Sequence, residues 1–197
     1  ATNGGFINRN YPNVDPAYAT DNPNPTPGKW DQGGANPSYE FWPPINKPKP
    51  AVHDFMVKTS GLNMYAHTYL MPSGRIFMQA NYSTTLWDWQ KDSYHDLPDM
   101  PDQIIRVYPA SGATAMMPLT PANKYTPTIL FCGGFNNITD EQWGDYKAPR
   151  VNMFEQPGST DCSSITPENA DGSNVENVQY VREETLPEPQ IGRASCR

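Results

Sequence analysis

Two phrases that each have a tyrosine near their beginning contain the side chains best suited to chemistry. The first is NMYAHTYLMPSGRIFMQANYSTTLWDW, residues 63–89, and the second begins VYPASGATAMMPL, so that Tyr108 follows Tyr65 by 43 residues. Phenol and imidazole groups can hydrogen-bond a polar substrate. Because side chains alternate along a strand, His67 is predicted to share a face with Tyr65. The residues alone also allow a structural role, in which each tyrosine packs in the core with its hydroxyl bonded to backbone and His67 is a hydrogen-bonded structural histidine.

The remaining polar side chains are weaker candidates for catalysis. His53 and His95 are predicted to lie in loops. Four carboxylates could be interpreted as pairs for acid–base chemistry, but no apolar pocket is visible that would separate their pKa values. Solvated charges are therefore the favoured interpretation of Asp99, Asp102, Glu183 and Glu184.

Short strands must position these groups. With 22 prolines in 197 residues and 12% aromatic residues, the composition favours a β protein over a helical one. We predict strands at 65–71, 75–80 and 84–89, a tight turn at Pro72–Gly74, and a further strand at 104–108. No stretch shows convincing helical periodicity. Up-and-down strands that restart at a period near 43 are typical of β-propeller blades, each of which must stack on its neighbours.

The chain divides into three parts by composition. Residues 1–50 form a loop-rich Pro/Asn/Gly tract with two strand fragments, GGFINR and PSYEFWPP, which we interpret as outer strands of one blade. Residues 51–190 are predicted to form the propeller blades. The last seven residues, IGRASCR at 191–197, match one translated frame of a common sequencing-library adapter, and we interpret them as an artefact rather than a genuine terminus. The opening ATNGGFINRN, without a methionine, looks like an internal fragment.

Charge and cysteine content limit the function classes. A net charge of -7 and a pI of about 4.8 argue against nucleic-acid binding, and no apolar run approaches the roughly 20 residues of a membrane span. With Cys196 set aside, Cys132 and Cys162 form an even pair that favours a disulfide over two buried thiols. Glycosylation sequons begin at Asn81 and Asn137, at turn-like positions that could accommodate glycans. Together these features predict a secreted, extracellular protein.

Four longer phrases carry a resemblance to a known family. GLNMYAHTYLMPSGRIFMQAN, LPDMPDQIIRVYPASGATAMMPLTP, YTPTILFCGG and QWGDYKAPR resemble the fungal glyoxal oxidases and galactose-oxidase-like proteins, the mononuclear copper radical oxidases. The resemblance extends from about Gly4 to Pro189. It implies an all-β, seven-bladed kelch-type β-propeller, of which this chain would supply about three blades. It also implies oxidation of small aldehydes such as glyoxal, or of simple alcohols, by O2 with release of H2O2.

The resemblance implies a cofactor for which this chain has no matching ligands. The family holds Cu(II) with two tyrosines and two histidines, and one tyrosine is cross-linked to a cysteine as the radical site. None of the histidines here lies in a ligand motif of the family, and Cys132 lies in FCGG rather than at the cross-link position. No metal ligand and no catalytic residue is therefore assigned. We expect the parent protein to be an enzyme and this fragment alone to bind no catalytic copper and to be inactive.

The resemblance also suggests where a substrate would enter. In that fold Tyr65 and Tyr108 would lie near the axial mouth, which makes them, together with His67, candidates for lining a substrate funnel. Trp143 could form a wall against a small carbonyl compound, with Gln142 as a hydrogen-bond donor, unless Trp143 packs under its own loop. The alternative function is a catalytically inactive propeller that binds carbohydrate or a protein partner.

Overall fold

Antiparallel strands make up nearly all the regular secondary structure of this computed structural model, which describes residues 2–3, 38–45, 51–59, 65–108, 110–135 and 156–189. In these ranges the strands form three sheets. The first sheet pairs short strands in chain order: β1 (Thr2–Asn3), β2 (Ser38–Tyr39) and β3 (Ala51–Val52). Helix α1 (Asp54–Lys58) follows directly, and its five residues are too few to show the helical period that the sequence lacked.

The second sheet is an up-and-down blade in which each strand pairs with the next. Its strands are β4 (His67–Leu70), β5 (Ile76–Ala80), β6 (Ser83–Asp88) and β7 (Ser93–Leu97). The first three strands confirm the prediction, and Gly74 in the first hairpin turn has a φ of 84°, which glycine adopts without steric cost. Strand β7 was not predicted. It contains His95, which pairs with Leu86, so the loop predicted for His95 is wrong.

The third sheet repeats the same order with longer connections. Its strands are β8 (Ala113–Met116), β9 (Ile129–Cys132), β10 (Cys162–Ile165) and β11 (Val181–Arg182). The strand predicted at 104–108 is wrong: Ile105 makes only an isolated bridge to Phe135, and the edge strand begins at Ala113. A single 3-10 turn, Pro101–Gln103, leads into this segment.

Apolar clusters cover both faces of the second sheet. On one face, Phe77 and Leu86 pack against Ile129, Phe131 and Ile165 of the third sheet. On the other face, the cluster joins the second sheet to β2 and α1: Tyr39, Phe55, Met56, Met78, Ala80 and Trp87. A four-stranded sheet covered by neighbours on both faces is what a propeller blade requires. The fold is all-β and matches part of a β-propeller, whereas the kelch assignment and the total of seven blades stay predictions.

Several predictions fall outside the residues that the structure describes. They concern GGFINR, the sequon at Asn137, the loop that contains Gln142 and Trp143, and residues 191–197. Within the described ranges, no helix has the length and apolar character needed to cross a membrane.

Candidate functional site

Tyr65 and Tyr108 meet at the beginnings of two neighbouring edge strands. Their rings form a T-shaped contact with centroids 5.9 Å apart and an interplanar angle of 82°. Tyr65 precedes β4 and Tyr108 precedes β8. These two strands are neighbours, since the Tyr69 hydroxyl of β4 lies 3.0 Å from Thr114 Oγ1 of β8. We call Tyr65 and Tyr108 the tyrosine pair. Their exposed fractions are 74% and 51%, so neither ring is packed in the core as the alternative interpretation required.

His67 follows Tyr65 by two residues, and its contacts tie it to the fold. Its Nε2 is 3.2 Å from the backbone oxygen of Arg106, and a carbonyl can only accept, so Nε2 carries the proton in this contact. Its ring also packs 6.0 Å from Phe131 of β9. His67 therefore joins β4 to the segment that leads into β8, which agrees with the structural interpretation of this histidine.

Arg106 is the residue of this region that sequence reasoning missed. Its side chain is fully buried, its Nη1 donates to the backbone oxygens of Gly133 and Asp161, and its Nη2 forms a 2.5 Å ion pair with Asp161 Oδ2. Burial lowers the pKa of Arg106, and the charge and hydrogen bond of Asp161 oppose that shift. The backbone also approaches closely here, since a Cβ on Gly134 would overlap the carbonyl oxygen of Ile105. The end of the third sheet thus closes around one buried cation.

Asp161 connects this buried cation to the surface. Its Oδ2 also accepts from Ser163 Oγ at 2.8 Å, and its Oδ1 lies 3.3 Å from Arg182 Nη1. Arg182 in turn donates to Asp102 Oδ2 at 2.7 Å, in a pair whose side chains are 56% and 58% exposed. Asp102 is therefore a solvated surface charge with an ionic partner, as the sequence interpretation favoured.

A second buried ion pair lies at the opposite end of β4. Glu168 is fully buried, accepts from the backbone N and Oγ of Ser73 at 3.0 and 2.7 Å, and pairs with Arg75 Nη2 at 2.6 Å. Ser73 and Arg75 lie in the turn between β4 and β5 of the second sheet, while Glu168 follows β10 of the third. We call the contact between these two sheets the seam; it is held by polar groups at both ends.

Cys132 and Cys162 lie opposite each other on β9 and β10 and form a disulfide with an S–S distance of 2.03 Å. Each cysteine is next in sequence to a residue that binds Arg106, namely Gly133 and Asp161. The disulfide therefore fastens the two strands that supply the partners of the buried cation.

The predicted glycan site at Asn81 lies in the turn between β5 and β6, where Asn81 has a φ of 53°. Its side chain is only 3% exposed, and glycosylation there stays a prediction. The turn was read correctly from the sequence, but the burial of its side chain was not.

Three tyrosine hydroxyls are poorly solvated, in contrast to the tyrosine pair. Burial raises the pKa of Tyr69, Tyr94 and Tyr180 above the ordinary value of 10.0. The Tyr180 hydroxyl lies 2.7 Å from Thr84 Oγ1 across the seam, and the Tyr94 hydroxyl lies 3.2 Å from Nδ1 of the buried His53. These hydroxyls act as structural hydrogen-bonding groups.

The described residues do not fit a copper centre. His67 and His53 engage a backbone oxygen and a tyrosine hydroxyl, respectively, and they belong to separate environments. Cys132 and Cys162 are both consumed by the disulfide, so neither thiol is available for a thioether bond to tyrosine. Across the ranges that the structure describes, no three His, Cys, Asp or Glu side chains gather as a metal site.

A family model and a curated protein are similar to this chain. The family model described as "Glyoxal oxidase N-terminus" matches residues 16–183. A protein of Artemisia annua named "Putative aldehyde oxidase Art an 7" is 30% identical over 169 residues, which cover 78% of this chain and 27% of that relative.

Proposed function

Because this chain belongs to the glyoxal oxidase family, we propose that it forms part of a secreted copper radical oxidase. The proposed reaction is the oxidation of small aldehydes such as glyoxal, or of simple alcohols, by O2 with release of H2O2. The match of the family model across residues 16–183 is the observation that carries this proposal. It concerns the whole protein, since the chain spans 27% of the length of its curated relative.

Within such an enzyme, the proposed role of this chain is to build one side of the substrate entrance. The tyrosine pair offers two exposed phenols at the beginnings of adjacent edge strands. A phenol can donate one hydrogen bond to a carbonyl oxygen and accept another from an alcohol. His67 and Arg106 would act indirectly, because their contact fixes the segment that presents Tyr108. Gln142 and Trp143 remain predicted members of the same entrance.

Copper with a Cys–Tyr radical cofactor is part of the proposal for the whole protein, and no described residue is assigned to hold it. The fragment alone is accordingly expected to be inactive. Secretion is proposed on the disulfide between Cys132 and Cys162, since disulfides persist mainly in oxidising compartments.

The test uses the full-length protein, produced with copper and assayed with glyoxal, other small aldehydes and simple alcohols. O2 uptake and a peroxidase-coupled assay for H2O2 are followed together. We expect oxidation with H2O2 formed in step with O2 consumed. If Tyr65 or Tyr108 hydrogen-bonds the substrate, the Tyr65→Phe and Tyr108→Phe variants should raise KM roughly 2- to 10-fold with little change in kcat, the range expected for one neutral hydrogen bond.

Tyr125→Phe is the matched control, because Tyr125 is 56% exposed but follows β8 at the end remote from Tyr108. A full-length, copper-loaded protein that produces no H2O2 from any of these substrates would overturn the oxidase proposal. That result would favour a propeller that binds carbohydrate or a protein partner. Activity with unchanged KM in both tyrosine variants would keep the oxidase and remove the tyrosine pair from the entrance.

A further inference from the structure

We propose that the tyrosine pair is a site of oxidative cross-linking, at which a haem peroxidase and H2O2 couple Tyr65 to Tyr108 as dityrosine. The proposal rests on the contact between two exposed phenol rings that come from neighbouring sheets. It does not depend on the oxidase activity of the parent protein.

The geometry of the pair favours coupling within one chain. With ring centroids 5.9 Å apart, the edge of one phenol already touches the other ring. A bond between the two carbons ortho to the hydroxyls requires the rings to turn from their T-shaped arrangement. Exposed side chains change rotamer within picoseconds to nanoseconds, and exposures of 74% and 51% leave these rings room to do so.

The chemistry is a two-electron oxidation shared between the phenols. Each tyrosine loses one electron and one proton to become a phenoxyl radical, and the two radicals form one C–C bond between ortho carbons. The two ring protons then move to the oxygens and restore both phenols. Peroxidase passes the two electrons and two protons to H2O2, which becomes two water molecules. The protein therefore loses two hydrogen atoms and gains no atoms.

The surroundings make this pair selective among the described tyrosines. Tyr39 is 3% exposed, and Tyr82 is partly buried against the apolar cluster between the sheets. The hydroxyls of Tyr69, Tyr94 and Tyr180 are each hydrogen-bonded to another side chain. Tyr125 is 56% exposed, but in the part of the chain that the structure describes its ring contacts no other aromatic ring. Tyr125 is thus accessible to an oxidant, but among the described residues it has no adjacent aromatic partner for intramolecular coupling.

The cross-link would also have a structural effect. Tyr65 and Tyr108 are 43 residues apart in sequence and lead into β4 and β8, so a bond between them would join the two edge strands covalently at the exposed end of the seam. Because the tyrosine pair is proposed to line the substrate entrance, the cross-link would also prevent both phenol rings from rotating there.

The experiment treats the full chain, dilute and with its disulfide intact, with a plant haem peroxidase and limiting H2O2. Intact mass, dityrosine fluorescence and tryptic peptides are measured. We expect monomer that has lost two hydrogen atoms, and a cross-linked peptide pair of residues 59–75 and 107–124, which contain Tyr65 and Tyr108. Because residues 59–75 also contain Tyr69, fragment spectra of the pair must place the link at Tyr65.

Two variants and one control make the result decisive. Tyr65→Phe and Tyr108→Phe should each abolish the intramolecular product, and two independent variants guard against a loss of folding in one of them. Tyr125→Phe should leave the product unchanged. A link that maps to Tyr69 or Tyr125, coupling only between chains, or a persistent intramolecular product in both single variants would overturn the proposal.

Discussion

Replacing Asp161 with asparagine should destabilise the protein far more than a change of one formal charge on its surface would. The substitution keeps the size of the side chain and removes the counter-ion from Arg106, whose side chain is fully buried. Burial alone lowers the pKa of Arg106, and Asp161 is the main group that opposes this effect. Asparagine can still accept one hydrogen bond, but the cation loses its compensating charge.

The magnitude follows from the burial of the pair. Removing one partner of a buried ion pair costs about 3 to 5 kcal/mol, because the other charge is left uncompensated. Asp161 keeps a side-chain exposure of 12%, which places the expected loss near the lower limit, about 3 kcal/mol. Arg182→Gln is the matched control, since it removes an Asp161 partner that is 56% exposed, and exposed ion pairs contribute much less to stability than buried ones.

Urea unfolding followed by fluorescence measures both losses, with the midpoint reporting stability and the slope reporting the surface exposed on unfolding. The double variant Arg106→Met with Asp161→Asn should regain a substantial part of the loss, because methionine is uncharged and fills a similar space. An Asp161→Asn variant no less stable than Arg182→Gln would refute the assignment of a buried, compensated cation. The assignment would also be refuted if the double variant lost as much free energy of unfolding as the single variants Arg106→Met and Asp161→Asn lose together.

Three further predictions concern the disulfide, the glycines and the buried hydroxyls. Cys132→Ser should lower the free energy of unfolding by roughly 3 to 4 kcal/mol, because the bridge closes a separation of 30 residues; equal urea midpoints with and without reductant would contradict this. Gly74→Ala should lower the free energy of unfolding by about 1 to 2 kcal/mol, because of the positive φ of Gly74 alone. Gly134→Ala should lower it clearly more, since the added Cβ would also overlap a backbone oxygen. Equal shifts in melting temperature would exclude that steric contribution. Because burial raises the pKa values of Tyr94 and Tyr180 above 10.0, their contribution to stability is complete below about pH 10 and is lost as the unfolded state ionises above it. Urea midpoints at about pH 9 and about pH 11 should therefore diverge, and less so in Tyr94→Phe; tyrosinate absorbance that develops fully before unfolding would contradict the burial.

The second sheet was the most predictable part of the fold because its signals are local. The Pro-Ser-Gly turn separates two alternating strands, and Gly74 takes the positive φ that such a turn requires. Strand β7 escaped prediction because Ser93–Leu97 buries only Leu97, so its strand character comes from pairing with β6 rather than from an apolar pattern. An outer strand of a blade can be polar on both faces, and its sequence then resembles a loop.

The segment before β8 misled prediction for the opposite reason. Ile104, Ile105 and Val107 form an apolar run that resembles a buried strand, and all three are buried, yet the segment makes only isolated bridges. A short apolar run does not distinguish these cases. Arg106 within that run gave no signal at all, since its partner Asp161 lies 55 residues further along the chain. Contacts of this kind depend on how two sheets pack and are invisible to local patterns.

The candidate site follows the same division between local and long-range information. The prediction placed Tyr65 and Tyr108 inside strands at 65–71 and 104–108, whereas the structure places them before the edge strands β4 and β8. That they touch depends on the seam, which neither phrase encodes alone. Polar contacts hold the seam at both ends, at His67 with the Arg106 backbone and at Glu168 with Ser73, and apolar side chains fill the space between. A single blade therefore cannot build this site. Because each blade contributes one residue and the packing between blades sets their distance, any chemistry at the tyrosine pair requires the stacked sheets rather than any one strand or motif.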